Sequence, residues 1–248
     1  MARLTLRGVV VEFKADAYLR TTLKATLLDG FWPRRASSRT IRALHEVSLD
    51  IGSGERIGLI GPNGAGKTTL LKVMAGIYPP QQGQVKIDGR VCPLFEFVTG
   101  FEMDATGWDN IRTRALLLRM SACEIEEKID GIGRFSKLGD FLDVPVRCYS
   151  AGMLLRLAFA TSTAVEPEIL LLDEVMAAGD ASFIRQAMAR MDQMMERARI
   201  VVFATHVLDL LPKICERTIW LDHGKIVLDG QTADVVSAYL DEVEQRRD

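Results

Sequence analysis

A short glycine-rich stretch constrains this chain more than any other part of its sequence. It matches the pattern Gly-x-x-x-x-Gly-Lys-[Ser/Thr] at every position and consists of Gly61, Pro62, Asn63, Gly64, Ala65, Gly66, Lys67, Thr68 and Thr69. It follows the apolar run 57–60 and precedes the helical pattern 70–75. A strand, a glycine loop and a helix in this order form a cradle for phosphates, because backbone N–H groups and the helix N-terminus point at the anion. Lys67 would contact the β- and γ-phosphates, and the Thr68 hydroxyl would bind Mg²⁺.

Length and charge limit the classes of protein that need to be considered. The 248 residues, 48% of them hydrophobic, suit one large α/β domain or one domain with an inserted lobe. The net charge of −2 gives no reason to expect a nucleic-acid partner. Residues 1–43 carry nine Lys or Arg and three acids, an excess of +6, so the remainder carries −8. This basic end could face anionic lipid headgroups or phosphates, or it could be an ordinary solvated surface.

Cysteine spacing and hydropathy indicate the cellular compartment in which the chain works. The four cysteines are far apart, at 92, 123, 148 and 215, and form no C-x-x-C pair. This pattern argues against a zinc site or a disulfide framework and favours a reducing compartment. No apolar run approaches the roughly 20 residues that span a bilayer. A role at a membrane would therefore need a partner subunit.

Two further strand ends carry polar residues that suit nucleotide chemistry. The apolar run 169–172 is followed by Asp173 and Glu174. Asp173 is placed to hold Mg²⁺, and Glu174 to orient and polarise water for in-line attack on the γ-phosphate. His206 follows a second apolar run, 200–204, and we expect it to contact the γ-phosphate.

A second anion site is predicted where another helix begins. Ser150, Ala151 and Gly152 open an amphipathic helix about twenty residues before Asp173. A helix N-terminus with a hydroxyl and free backbone N–H groups attracts anions. Taken alone this segment would be an ordinary helix cap, so its interpretation depends on its place between the other motifs.

The apolar periodicity predicts strands that alternate with helices, and hence a mainly parallel sheet. An edge strand is predicted over 3–13, and a region of helices from about 104 to 165. The other elements are strands at 47–51, 84–98, 169–172 and 200–204, helices at 66–76 and 182–197, a hairpin at 215–228, and a helix from 232.

The order of these motifs resembles the nucleotide-binding domain of ABC transporters over nearly the whole chain. The resemblance implies an α/β fold: a P-loop NTPase (RecA-like) core with a mainly parallel sheet, an antiparallel β subdomain and an inserted helical subdomain. It implies one domain over 1–248, with the core at about 1–100 and 166–248 and the helical subdomain at about 101–165. ATP and Mg²⁺ would be the cofactors. Two head-to-tail copies would enclose each ATP between the phosphate loop of one and the signature motif of the other.

The same resemblance assigns further residues. Ser150, Ala151 and Gly152 would form the signature motif that binds the partner's ATP. Asp180 looks like the aspartate that communicates across the dimer. Phe13 is similar to the aromatic residue that stacks on adenine, with Tyr18 as the second choice. Most ABC domains carry a glutamine where this chain has Glu96, whose carboxylate could contact Mg²⁺ or its water.

Finer features resemble one subfamily, the ATPases that export lipid-linked polysaccharides such as O-antigen, capsule and teichoic acid. The signature reads Ser-Ala-Gly-Met instead of Ser-Gly-Gly-Gln, and the segments 134–146, 173–180 and 14–43 are also similar. This implies an ATP hydrolase bound peripherally at the cytoplasmic face of the inner membrane. Its partner would be a polytopic permease that handles the polysaccharide. Because the sequence ends soon after its last predicted helix, we expect the permease, not an added carbohydrate-binding domain, to select the substrate.

Other classes remain to be weighed. The chain could energise transport of a different membrane substrate, or be a non-transport ABC ATPase acting on nucleic acid or ribosomes. The absence of long heptad repeats and of a second phosphate loop argues against the latter. A GTPase would need an Asn-Lys-x-Asp motif, and neither Asn63 nor Asn110 precedes a lysine. A scaffold that binds ATP without hydrolysing it would not need Glu174.

Overall fold

The computed structural model describes residues 1–14, 40–95, 100–173 and 181–246. In these ranges the strands are β1 Arg3–Lys14, β2 Thr40–Gly52, β3 Arg56–Ile60, β4 Gln82–Asp88, β5 Val91–Leu94, β6 Ile169–Asp173, β7 Ile200–Ala204, β8 Arg217–Asp222 and β9 Lys225–Gln231. The α-helices are α1 Lys67–Met74, α2 Gly107–Leu117, α3 Ala122–Ser136, α4 Ala151–Ser162, α5 Ala181–Arg197, α6 Leu211–Ile214 and α7 Thr232–Gln245. Among the described residues, no helix combines the length and apolar character that crossing a membrane requires.

A six-stranded sheet lies at the centre of the structure, in the order β5-β6-β7-β3-β8-β9. Its neighbours are parallel except for the β8–β9 hairpin. Along β6, Leu170 and Leu172 pack into a core with the helices α2 to α5, while Ile169 and Leu171 pack into a second core with α1, β1 and β2. Because both faces of the sheet are buried, its strands read as continuous apolar runs.

A second, antiparallel sheet has the order β2-β1-β4 and covers one face of the central sheet. The prediction of an edge strand over 3–13 is wrong on one point, because β1 is the middle strand and pairs on both sides. Alternation of apolar and polar residues reports which face of a strand is buried. It carries no information on how many neighbours the strand pairs with.

Helices α2, α3 and α4 lie between β5 and β6 in the chain, within the region that the sequence predicted to be helical. Each begins at a residue whose side chain accepts a backbone N–H: Thr106, Ser121 and Ser150. The cap of α2 is reciprocal, since the Asp109 side chain also accepts from the Thr106 N–H. These caps explain why the three helices begin where they do.

Three phenylalanines join helices that are far apart in sequence. Phe135 of α3, Phe159 of α4 and Phe183 of α5 form a triangle with ring centroids 5.9 to 6.1 Å apart. The Arg190 guanidinium lies 4.6 Å from the centre of the Phe135 ring. The helix that begins at Ser150 is therefore packed against the helix that follows β6.

Candidate nucleotide-binding site

The glycine-rich stretch joins the buried strand β3 to helix α1. Gly61 and Gly66 both have positive φ, 141° and 103°. A Cβ at Gly61 would collide with the carbonyl oxygen of Leu221, and one at Gly66 would lie 2.8 Å from the carbonyl oxygen of Ala43. Glycine is required at both positions, because the positive φ angle disfavours any other residue and the neighbouring carbonyl oxygens leave no room for a Cβ. The loop is thus tightly enclosed by β2 and β8.

The Lys67 side chain lies within this loop. Its Nζ donates to the carbonyl oxygens of Gly61, at 2.6 Å, and Pro62, at 3.1 Å. Only 7% of the residue's surface is exposed. The ammonium charge is therefore held beside the N-terminus of α1, where backbone N–H groups have no partner within the helix. Charge and helix end together favour an anion at this position.

Thr68 and Asp173 meet although 105 residues separate them. Thr68 Oγ1 donates to Asp173 Oδ2 at 2.6 Å, which joins the first turn of α1 to the end of β6. The pair presents a hydroxyl and a carboxylate, the oxygen ligands that Mg²⁺ prefers. The donor set at this point therefore fits a magnesium ion.

A cleft of about 450 Å³ opens over the loop. The structure places His206 on its wall, next to the end of β7, together with Asp173. The remaining lining residues are Ala43, Asn63, Gly64, Ala65, Gly66, Lys67, Thr68 and Thr69. Gly61 and Pro62 do not line the cleft, but their carbonyl oxygens accept hydrogen bonds from Lys67 Nζ. The cleft has the positive charge, N–H groups and polar wall needed to hold a chain of phosphates.

The segment Ser150 to Gly152 does not line this cleft in the described structure. Ser150 Oγ accepts from the Met153 N–H at 3.2 Å and caps α4. All three residues are exposed, and the first turn of α4 contains no acidic residue. The structure therefore presents a second helix N-terminus to the surface, apart from the cleft.

The other sequence-predicted site residues fall in two groups. Phe13 is at the end of β1, opposite Ile41 of β2, and is 39% exposed. It does not line the phosphate cleft. The positions of Glu96, Glu174, Asp180 and Tyr18 lie outside the described residues.

Two parts of the site were missed by sequence reasoning. Ala43 of β2 lines the cleft, and Gly224, in the β8–β9 turn, supports the loop by donating to the Ala65 carbonyl at 2.8 Å. The same glycine accepts from the His45 N–H, which ties β2 to the turn. The hairpin was predicted, but nothing in its sequence indicates what its turn would contact.

Family comparison agrees with this geometry. A model of the ABC transporter family matches residues 44–177, more than half of the chain. The chain therefore belongs to the ABC transporter family, and its class is that of the ATP-binding, ABC-type ATPases. The family and the fold class predicted from the motifs are confirmed.

Individual relatives narrow the class. The chain is 46% identical over 187 residues to the O-antigen export system ATP-binding protein RfbE of Yersinia enterocolitica, covering 75% of this chain and 78% of that protein. It is 37% identical to RfbB of Myxococcus xanthus, with the same descriptive name, over 98% of this chain and 56% of that protein. It is 36% identical to the teichoic acids export ATP-binding protein TagH of Listeria innocua, covering 84% of this chain and 62% of that protein. The chain thus spans less than two thirds of the length of some of these relatives.

Solved structures support the fold alone. A dimeric, post-hydrolysis structure of the ATP-binding cassette MJ0796 bound to ADP and Pi has a TM-score of 0.66 at 22% identity, covering 92% of this chain and 98% of that one. The structure of an ATP binding subunit of an ABC transporter has a TM-score of 0.68 at 21% identity, over 98% of both chains.

Proposed function

We propose that this chain is the ATP-hydrolysing subunit of an exporter of lipid-linked polysaccharide. The observation that carries this proposal is the similarity to the ATP-binding proteins of O-antigen export, which reaches 46% identity over 187 residues. The similarity to teichoic acid export proteins points to the same class of substrate, a glycan polymer. The chain would act at the cytoplasmic face of the inner membrane, bound to a polytopic permease. No nucleic acid would take part.

The cleft supports a division of labour among its residues. The loop from Gly61 to Thr69 and the Lys67 ammonium would hold the β- and γ-phosphates by N–H and charge-assisted contacts. The 2.6 Å pair of Thr68 and Asp173 would hold Mg²⁺, which supplies charge neutralisation on the phosphates when bound. Glu96 would contact the same ion or its water.

Hydrolysis needs a group that orients water. Glu174, which follows β6 directly in sequence, would accept a proton from the attacking water, and His206 on the cleft wall would contact the γ-phosphate. Phe13 at the end of β1 would stack on adenine.

The exposed start of α4 supports a dimeric site. A capped helix N-terminus without acidic residues suits a phosphate, yet it does not line the cleft of its own chain. In a head-to-tail homodimer, Ser150, Ala151 and Gly152 would complete the cleft of the second copy, and Asp180 would lie between the two sites. Each chain would be one domain, with a core at about 1–100 and 166–248 and a helical subdomain at about 101–165.

The experiment is a pull-down from native membranes with the tagged Glu174→Gln variant and ATP. The matched control is Glu174→Gln combined with Lys67→Ala, which keeps the blocked base but loses the phosphate contact. We expect a polytopic membrane protein and a pyrophosphate-linked glycan, identified by mass spectrometry, with the first variant and much less with the second. Ribosomes, nucleic acid or an unrelated transported substrate would refute polysaccharide export while leaving the ATPase assignment intact.

A further inference from the structure

We infer that Tyr78 is a positioning residue for the nucleotide base. Tyr78 would hold the Phe13 ring in the orientation that stacking on adenine requires. The inference rests on the proposed adenine contact of Phe13, and it adds a residue from outside the phosphate cleft to the base subsite.

The two rings are in direct contact. Their centroids are 5.5 Å apart and their planes are inclined at 71°, an edge-to-face pair. Phe13 is 39% exposed and belongs to neither core, whereas Tyr78 is half-buried and packs against the second core. Edge-to-face contact favours one orientation of a ring over others. It therefore restrains a side chain that a neighbouring core does not enclose.

Hydrogen bonds hold the backbone of the two segments together. The Gln81 N–H donates to the Val10 carbonyl at 2.9 Å, and the Glu12 N–H donates to Gln81 Oε1 at 2.7 Å. Both bonds join Gln81, three residues after Tyr78, to residues that come just before Phe13. The end of β1 is thus bound to the residues that follow α1.

Tyr78 is also fixed to the helix of the phosphate loop. Its N–H donates to the Lys72 carbonyl at 3.2 Å, and the Lys72 ammonium lies 5.2 Å from the centre of the Tyr78 ring. Lys72 is on α1, which begins at Lys67. The chain therefore connects the phosphate contact to the Phe13 ring through one short helix and one aromatic pair.

The distance along β2 between the phosphate cleft and Phe13 suits a nucleotide whose phosphates lie in the cleft and whose base contacts Phe13. Phe13 pairs with Ile41, and Ala43, two residues further along β2, lines the phosphate cleft. Two residues of a strand span about 7 Å. Phe13 thus pairs with a residue that is two positions along β2 from the wall of the cleft.

The test separates base binding from phosphate binding. Affinities of Mg²⁺-ADP and of inorganic pyrophosphate would be measured by calorimetry for the whole chain and its variants. Tyr78→Ala should weaken ADP binding about threefold to tenfold, the range expected for loss of one aromatic pair. Pyrophosphate has no base, so its affinity should change by less than about twofold. Tyr78→Phe keeps the ring and should bind ADP as the unmodified chain does.

A double-mutant cycle completes the design. If Tyr78 acts through Phe13, Phe13→Ala combined with Tyr78→Ala should bind ADP no more weakly than Phe13→Ala alone. Additive losses, an equal loss for pyrophosphate, unchanged ADP binding in Tyr78→Ala, or failure of Tyr78→Phe to bind normally would each overturn the inference. Unchanged ADP binding in Phe13→Ala would refute the adenine contact and this inference together. It would leave polysaccharide export, tested on membranes, unaffected.

Discussion

Replacing Lys67 with alanine tests the phosphate cleft most directly. The lysine ammonium is held within the loop by the carbonyl oxygens of Gly61 and Pro62, at 2.6 and 3.1 Å. When a nucleotide binds, we expect this charge to face the β- and γ-phosphates. Alanine removes the charge and the two hydrogen bonds of the ammonium but leaves the glycines of the loop unchanged.

The magnitude follows from the kind of contact. A hydrogen bond to a charged group contributes about 1.5–3 kcal/mol, so the Kd for ATP should rise roughly tenfold to one hundredfold. The two carbonyls lose their donor, and we expect water from the cleft to fill the space that the lysine side chain leaves. We therefore expect the fold to lose only about 1 kcal/mol of stability, a small part of the 5–15 kcal/mol typical of a domain.

Calorimetry with Mg²⁺-ATP would measure the affinity, and urea unfolding the stability. Lys86→Ala is the matched control, because its side chain is exposed, its Nζ lies 3.0 Å from Asp88 on β4, and it does not line the cleft. The control should bind ATP normally. A Lys67→Ala protein that is folded and binds ATP as tightly as the control would show that the ammonium does not contact phosphate.

Three further predictions concern the magnesium ion, the general base of hydrolysis and the cysteine thiols. Thr68→Val should abolish the gain in ATP affinity that Mg²⁺ provides. In EDTA, its ATP affinity should stay within about twofold of that of the unmodified chain. If calorimetry shows that Mg²⁺ still raises the ATP affinity of the variant, Thr68 is not a metal ligand. Glu174→Gln should bind ATP but release no phosphate, and near-normal turnover in a phosphate-release assay would contradict its role as base. Iodoacetamide at pH 8.5 should label only two of the four cysteines of the folded chain, because burial raises the pKa of two thiols to about 12 and blocks access. The exposed, labelled pair is Cys123 and Cys148, and the buried, unlabelled pair is Cys92 and Cys215. Peptide mass spectrometry would distinguish them, and labelling of the buried pair without denaturant would refute the packing.

Much of the fold could be predicted because its signals are local. The apolar run 169–172 is buried on both faces, and the structure ends the strand at Asp173 as expected. The glycines of the phosphate loop are at positions where positive φ or close backbone contact excludes other residues. The pairing of β1 with two neighbours could not be predicted. It depends on the return of the chain after α1, which carries no mark in the sequence of β1 itself.

The phosphate cleft was accessible to sequence reasoning for a geometric reason. Asp173 is the last residue of β6, and Gly61 and His206 come after β3 and β7; these three strands are consecutive and parallel in the central sheet. Parallel strands end at a common edge, so polar residues that follow them in sequence must meet there. Thr68 and Asp173 were each predicted to hold Mg²⁺, and the structure brings them into contact although β7 lies between β3 and β6.

The residues around the proposed base subsite are not at the ends of parallel strands. Ala43 and Phe13 belong to the antiparallel sheet, and their distance from the loop is set by how that sheet packs on the central one. Tyr78 reaches Phe13 only because the segment after α1 returns to pair with β1. A local pattern cannot encode such contacts, since each depends on the packing of two separately formed units. Apart from Ala43, the residues of the cleft could therefore be predicted from the sequence, whereas the contact between Phe13 and Tyr78 could be found only in the folded chain.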